Sequence, residues 1–401
     1  MKKILAIVLA CVLMFALTSC GSEPAAKPES APAEEVGTAE TSAPMKAGLI
    51  CLHDENSGYD ANFINAFKDA CASMGVEAVI KTGVEESSEA YEEAVNLADS
   101  GCSVVFADSY GHQQFIMQAA QEYPNTQFTS CTGDTALSSG VENYHNAFAT
   151  IFQGRFLAGV AAGMKLNEMI ADGKITPNEA IMGYVGAMPY AEVISGYTSF
   201  YLGAKYVCPS VTMQVVYTGS WYDETAEKEG ANVLMDKGAV LISQHADSMG
   251  APNACEAAGV PNISYNGSTK LACPNTYIIS SRINWEPYFR YAIQAVMSGE
   301  NYDTDWCGTM GTGSVELTEL NESVAAAGTA EEIAKIEKML NDGTLHVFDT
   351  ATWTKDGETL SSYDKVAFYE GNECIWDGYF HESETRSAPY FDIIIDGITI
   401  N

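Results

Sequence analysis

Ser103-Val104-Val105-Phe106-Ala107, followed at once by Asp108-Ser109-Tyr110, is the segment that decides the fold class. Five residues without polar alternation read as a strand buried on both faces. The polar triplet after it marks a strand end that opens into a loop. On its C-terminal side Gln113–Glu122 has helical periodicity, and Gln127–Cys131 reads as another strand. On its N-terminal side the order runs back through a helix at 89–99, a strand at 76–81, a helix at 60–74 and a strand at 46–52. In the 60–74 stretch, Phe63, Ala66, Phe67, Ala70 and Met74 recur at helical spacing. A βαβαβα order with apolar strands predicts a parallel sheet covered by helices on both faces.

The pattern then restarts. Phe148–Met164 is expected as a long apolar helix, 181–186 as a strand and 192–205 as a helix. Strands at 213–217, 240–243 and 262–265 alternate with helices at 224–237 and 251–258. Two similar halves are therefore expected to face each other. Helices at 286–298 and 330–341 follow, and the tail from 345 to 401, rich in Tyr, Phe, Thr and Ile, looks strand-like.

Length, charge and cysteine use narrow the class. The chain has 401 residues, enough for two domains, and a net charge of −33. Such acidity argues against nucleic acid or an anionic membrane surface as a partner. Eleven cysteines form no CxxC pair and have no histidine cluster, so neither a zinc site nor any other metal or cofactor is expected. Their apolar, scattered settings favour buried thiols over a disulfide framework.

The first twenty residues carry an address. Lys2-Lys3 precedes an apolar run from Ile4 to Leu17, too short to span a bilayer. Leu17-Thr18-Ser19-Cys20 resembles a bacterial lipobox, in which Cys20 would become a lipidated N-terminus. Residues 21–45, rich in Pro, Ala, Ser and Glu, read as a disordered tether. The expected location is the extracytoplasmic face of a bacterial cell membrane, held by lipid on Cys20.

Several strings resemble the basic membrane protein family. They are Gly183-Tyr184-Val185-Gly186 with Met188-Pro189, then Gly219-Ser220-Trp221-Tyr222-Asp223, then Gln244-His245-Ala246-Asp247-Ser248. The first half is similar through Gly58-Tyr59-Asp60-Ala61-Asn62-Phe63, with the family spacing shortened, and Arg282-Ile283-Asn284-Trp285 stands where many members carry a lysine. The resemblance implies an α/β, two-lobed type I periplasmic-binding fold, with two doubly wound parallel sheets joined by a multi-strand hinge. It further implies a lipoprotein that serves as the substrate-binding component of an ABC importer. Its ligand would be a purine nucleobase or nucleoside and its partner a membrane permease; related members bind riboflavin. Expected limits are 46–144 plus 281–315 for the first lobe and 145–280 for the second. Residues 316–401 are expected to pack near the hinge.

Ligands of doubly wound sheets bind at the carboxyl ends of the strands. A purine offers two π faces and a polar edge, so Tyr59 or Phe63 from one lobe and Trp221 from the other are candidates to sandwich it. Asp223, Gln244, Asp247 and Asn266 are candidates to read the edge or hold ribose hydroxyls. Tyr110, Tyr190, Asp60 and Trp285 complete the candidate set. Asp60 and Asp223 also suit helix N-capping, Phe63 suits a core, and His245 suits packing or hydrogen bonding. A secreted hydrolase fits poorly, since Gly-x-Ser-x-Gly, HExxH and P-loop motifs are absent from the sequence. A ligand sensor of the same fold that signals to a membrane kinase is the alternative to an importer component.

Overall fold

The computed structural model describes residues 44–366 and 370–401. The expected leader, Cys20 and the tether up to residue 43 lie outside them. In chain order the first elements are β1 (Lys46–Ile50), α1 (Gly58–Met74), β2 (Glu77–Lys81), α2 (Ser88–Asp99), β3 (Cys102–Ala107) and α3 (Gln113–Glu122). Then come β4 (Gln127–Cys131), the one-turn α4 (Ala136–Ser139) and β5 (Tyr144–Ala149). These strands form a sheet in the order β5-β4-β3-β1-β2, parallel throughout. Helix α1 starts where it does because Ser57 Oγ accepts from the Asp60 amide, and stops at Gly75, which turns the chain at φ 69°.

The second series is α5 (Ile151–Ala171), β6 (Ile181–Gly186), α6 (Ala191–Val207), β7 (Thr212–Tyr217), α7 (Glu224–Asp236) and β8 (Leu241–His245). It continues through α8 (Gly250–Ala258), β9 (Asn262–Tyr265) and β10 (Tyr277–Ile283). The sheet runs β10-β9-β8-β6-β7, again parallel. The chain then returns. Helix α9 (Glu286–Ser298) packs on α1, and β11 (Asp305–Gly308) extends the first sheet beside β5. β12 (Val315–Leu317) adds to β10 antiparallel, and α10 (Thr329–Asn341) packs on α5. Three connections thus pass between the sheets: β5 to α5, β10 to α9 and β11 to β12.

The structure differs from expectation at three places. The apolar run Phe148–Met164 is not one helix: Phe148 belongs to β5, which is hydrogen-bonded between β4 and β11, and Thr150 breaks the run with ψ 51°. Sheet membership also crosses the expected lobe limits. β5 lies in the first sheet beyond residue 144, whereas Ser281–Ile283 and β12 lie in the second. Among its described residues the tail contains β13 (Ile375–Trp376), β14 (Tyr379–Phe380) and β15 (Ile398–Ile400), and is otherwise irregular. Its aromatic and aliphatic residues instead fill the core of the second lobe, where Trp353, Tyr390, Phe391 and Ile393 pack with α5 and α6 residues.

Helices α5 and α6 are packed at backbone contact. A Cβ at Gly159 would strike the Phe200 carbonyl, and one at Gly203 would strike the Phe156 carbonyl. Gly203→Ala is therefore expected to destabilise the fold by about 1–3 kcal/mol, the usual range for overpacking. Urea unfolding checks this: the midpoint should fall while the slope stays unchanged.

Candidate functional site

The strand ends of the two sheets point at each other, and a slot lies between them. From the first lobe, Leu52 and His53 follow β1, Ser109 and Tyr110 follow β3, and Thr132 follows β4 at φ 76°. Tyr59 enters from the first turn of α1. From the second lobe come Glu192 of α6, Trp221 after β7, His245 and Asp247 at the end of β8, and Tyr265 at the end of β9. The space they enclose is only about 20 Å³, far below the roughly 300–1,000 Å³ of small-molecule pockets, so a ligand enters only when the lobes part. The lobes touch beside it: the Gly58 amide donates to the Asp247 carbonyl at 3.3 Å, and the His53 and Tyr222 rings lie 5.4 Å apart.

The walls are aromatic and the charge is negative. The Tyr59 hydroxyl donates to the Asp108 carbonyl oxygen at 2.6 Å, fixing that ring at the rim of β3. Trp221 sits 6.0 Å from Tyr190, and Tyr190 lies 5.8 Å from Tyr110, so three rings from both lobes run along one side. Among the described residues no donor bonds the Asp247 carboxyl. Burial, Asp60, Glu227 and Glu192 together push it well above the usual carboxylate range, with Arg155 opposing.

Two buried layers hold this surface. Under the first lobe, Asp108 is raised well above the carboxylate range by burial and by Asp60. Burial also acts to raise Asp60, but hydrogen bonds from His53 and Ser57 outweigh it and hold Asp60 below its ordinary value. Cys51 Sγ and oxygens of Asp60 and Asp108 lie within 4.8 Å of one another, the one grouping among the described residues with metal-ligand character. There the thiol is raised by burial and the two carboxylates, which favours its protonated form.

Under the second lobe, Arg155 is 1% exposed. Its guanidinium carbon lies 3.4 Å over the Tyr265 ring, and Nη1 donates to the Gln244 carbonyl at 3.1 Å. His245 is pulled down to about 4 by burial and by Arg155, although Glu192 stands 3.3 Å from its Nε2.

Of the candidate residues, Tyr59, Tyr110, Trp221 and Asp247 line the slot, and Tyr190 stands just outside it. The others do not line it. Phe63 and Trp285 stack on each other at 4.3 Å in the core of the first lobe. Asp60 is bonded to Ser57 and the His53 amide, and Asp223 caps α7 by accepting from the Ala226 amide at 2.9 Å. Gln244 Oε1 accepts from Asn262, and Asn266, at φ 63°, turns into a different groove beside Asn62. His53, Thr132, Glu192 and Tyr265 were not among the candidates. They are single residues just after strands or at a helix start, with no local motif to mark them. Arg155 did carry a signal, as a lone charge inside an apolar helical run.

The model of the ABC transporter substrate-binding protein PnrA-like family, Bmp, matches residues 52–345. The chain belongs to the Bmp family. A putative ABC transporter glucose-binding protein of Haloferax volcanii is 30% identical over 74% of this chain and 70% of its own length. A purine-binding protein of Brucella abortus is 27% identical over 80% of this chain and 90% of its own. A nucleoside-binding protein of Lactococcus lactis is 25% identical over 57% of this chain and 62% of its own. Among solved structures, an ABC transporter solute-binding protein of Aeropyrum pernix superposes with a TM-score of 0.65 at 16% identity, covering 76% of this chain and 93% of its own. The Bmp chain therefore has the type I periplasmic-binding fold and is an ABC transporter substrate-binding protein. Family and fold are those of solute binders and not of enzymes. Among the described residues no helix is long and apolar enough to cross a membrane.

A pH measurement tests the buried layer. An ordinary imidazole titrates near about 6.5, while folded His245 takes its proton only near about 4. Between those values the unfolded chain binds a proton that the native chain lacks, so stability falls as pH drops through that window. His245→Asn is expected to flatten the dependence of thermal stability on pH between 6.5 and 4. An unchanged slope would place the titrating group elsewhere.

Proposed function

We propose that this Bmp-family protein captures a purine base or nucleoside between its lobes and hands it to an ABC permease. The observation that carries this reading is the set of side chains that line the slot. Tyr59, Tyr110 and Trp221 present rings from both lobes, and the unbonded Asp247 carboxyl stands at the edge. A flat heterocycle would gain stacking of about 1 kcal/mol per ring beyond simple area burial. Its N–H groups would then satisfy Asp247, and an analogue without them would leave a buried acceptor unpaired. Closure of the lobes around the ring would present one composite surface to the permease.

The relatives named as purine-binding and nucleoside-binding support the same ligand class. A sugar is the second reading, favoured by the Haloferax relative and by the pairing of aromatic rings with carboxylates. Riboflavin remains the larger heterocyclic alternative. A signalling role in place of import would be distinguished by the absence of a permease that binds the closed form.

Thermal unfolding with adenine, adenosine, riboflavin and glucose tests the ligand. A ligand at one hundred times its dissociation constant adds about 2.7 kcal/mol. Purines are expected to raise the midpoint and glucose is not; the reverse result would select the sugar reading. Asp247→Asn gives a sharper check. The carboxyl of Asp247 is raised in the folded state, so its ionisation at neutral pH opposes folding. The variant should be more stable than the parent without ligand and should respond less to purines, whereas a purely structural Asp247 would show the opposite first result.

The anchor and location belong to the same proposal. Lys2-Lys3, the apolar run and Leu17-Thr18-Ser19-Cys20 support a lipoprotein on the outer face of the cell membrane. Cys20→Ser is expected to move the protein from the membrane fraction to the soluble fraction. Retention in the membrane would contradict lipid anchoring at this cysteine.

A further inference from the structure

The chain runs on from 346 to 401, beyond the span that the family model matches. This extension is built into the second lobe. Phe391 stacks on Phe348 with ring centroids 4.2 Å apart, the Phe391 amide donates to Glu382 at 2.8 Å, and β15 pairs in parallel with β7. From that base one stretch reaches across to the first lobe. The Ser387 amide donates to Asp305 Oδ2 at 2.7 Å, and its hydroxyl bonds the other oxygen of the same carboxylate. Arg386 Nη1 lies 3.5 Å from Asp134 Oδ2. Asp134 in turn accepts from the hydroxyl of Tyr110, a wall of the slot, at 3.3 Å.

Between this stretch and the slot lies a second cavity of about 460 Å³. It shares Tyr110, Thr132 and Glu192 with the slot, so the two spaces adjoin. Phe148 and Ile194 supply apolar walls from the two lobes, and Arg386, Ala388 and Pro389 supply the wall from the extension.

We infer that residues 386–392 complete the ligand cleft and determine specificity: the slot takes the aromatic ring, and the adjoining cavity takes an uncharged, hydroxyl-bearing group attached to it. This rests on the purine reading of the slot. Size is the first argument, because the cavity already has room for a substituent of about 460 Å³ or less, while the narrow slot admits a flat ring only as the lobes part. Charge is the second. Glu192, Asp134 and Asp392 line the cavity against one guanidinium that already faces Asp134. Hydroxyl groups can donate to those carboxylates, whereas a phosphate would meet their repulsion. Position is the third, since a group held here touches both lobes and the extension and so favours closure.

Calorimetric titration of the wild-type protein, Ala388→Trp and Arg386→Ala with adenine, adenosine and adenosine monophosphate tests this. Wild type should bind adenosine tighter than adenine by about tenfold, and the monophosphate more weakly than adenosine. Ala388→Trp fills the cavity and should lose about tenfold for adenosine, with adenine changed by less than about threefold. Should that variant not fold, Arg386→Ala, which opens the same wall, should shift the adenosine-to-adenine ratio in the same direction. Equal losses for both ligands, or no loss for either, would overturn the role of the extension while leaving the slot intact. A wild-type protein that binds no purine would overturn the purine reading, and this inference with it.

Discussion

A guanidinium buried beneath the second lobe's strand ends is the constraint on which the cleft depends. Arg155 reaches that position because α5 and α6 are packed at backbone contact through Gly159 and Gly203. A charge so deep is costly unless it is matched. Here a partial match comes from the face of Tyr265, the Gln244 carbonyl and the charge of Asp247, while Nε and Nη2 have no hydrogen-bond partner among the described residues. The Gln244 and Tyr265 contacts lie at the ends of β8 and β9, so holding Arg155 also aligns two walls of the slot. Burial, reinforced by the same cation, keeps His245 neutral, and the cation offsets part of the cost of Asp247.

The first lobe meets this arrangement with acids of its own. Asp60 and Asp108 lie buried side by side, with opposite shifts that leave one charged and raise the other. Bringing the lobes together sets Asp60 against Asp247, which raises the latter. The closed form therefore concentrates negative charge around a small aromatic space. A neutral ring with N–H donors relieves that tension, and an anion would add to it. This electrostatic asymmetry links closure to occupancy, as expected of a binder that must release its ligand when the lobes part.

Much of the fold was legible because apolar strands and amphipathic helices alternate with clear punctuation. Gln113–Glu122 and Gln127–Cys131 match their observed limits. β5 was not legible, because Tyr144–Ala149 runs into the apolar start of α5 with only Thr150 between them, and its ladder depends on β11, far along the chain. The tail misled for a different reason: Tyr, Phe and Ile favour strands locally, yet here they fill a gap against α5 and α6. The site divided along similar lines. Tyr59, Tyr110, Trp221 and Asp247 follow strands or open a helix in loops that had no other evident use. Phe63 and Trp285 look the same in sequence but meet each other in the core, a contact between residues 222 positions apart that no local pattern reveals. Asp60 and Asp223 serve helix starts, which the sequence allowed equally.

The most direct measurement is a crystal structure of the protein grown with adenosine. The purine ring is expected between Tyr59 and Trp221, with an edge nitrogen within hydrogen-bond distance of an Asp247 oxygen. A ring found outside the slot, or a slot that stays closed and unoccupied while the ligand binds elsewhere, would contradict the reading of this cleft.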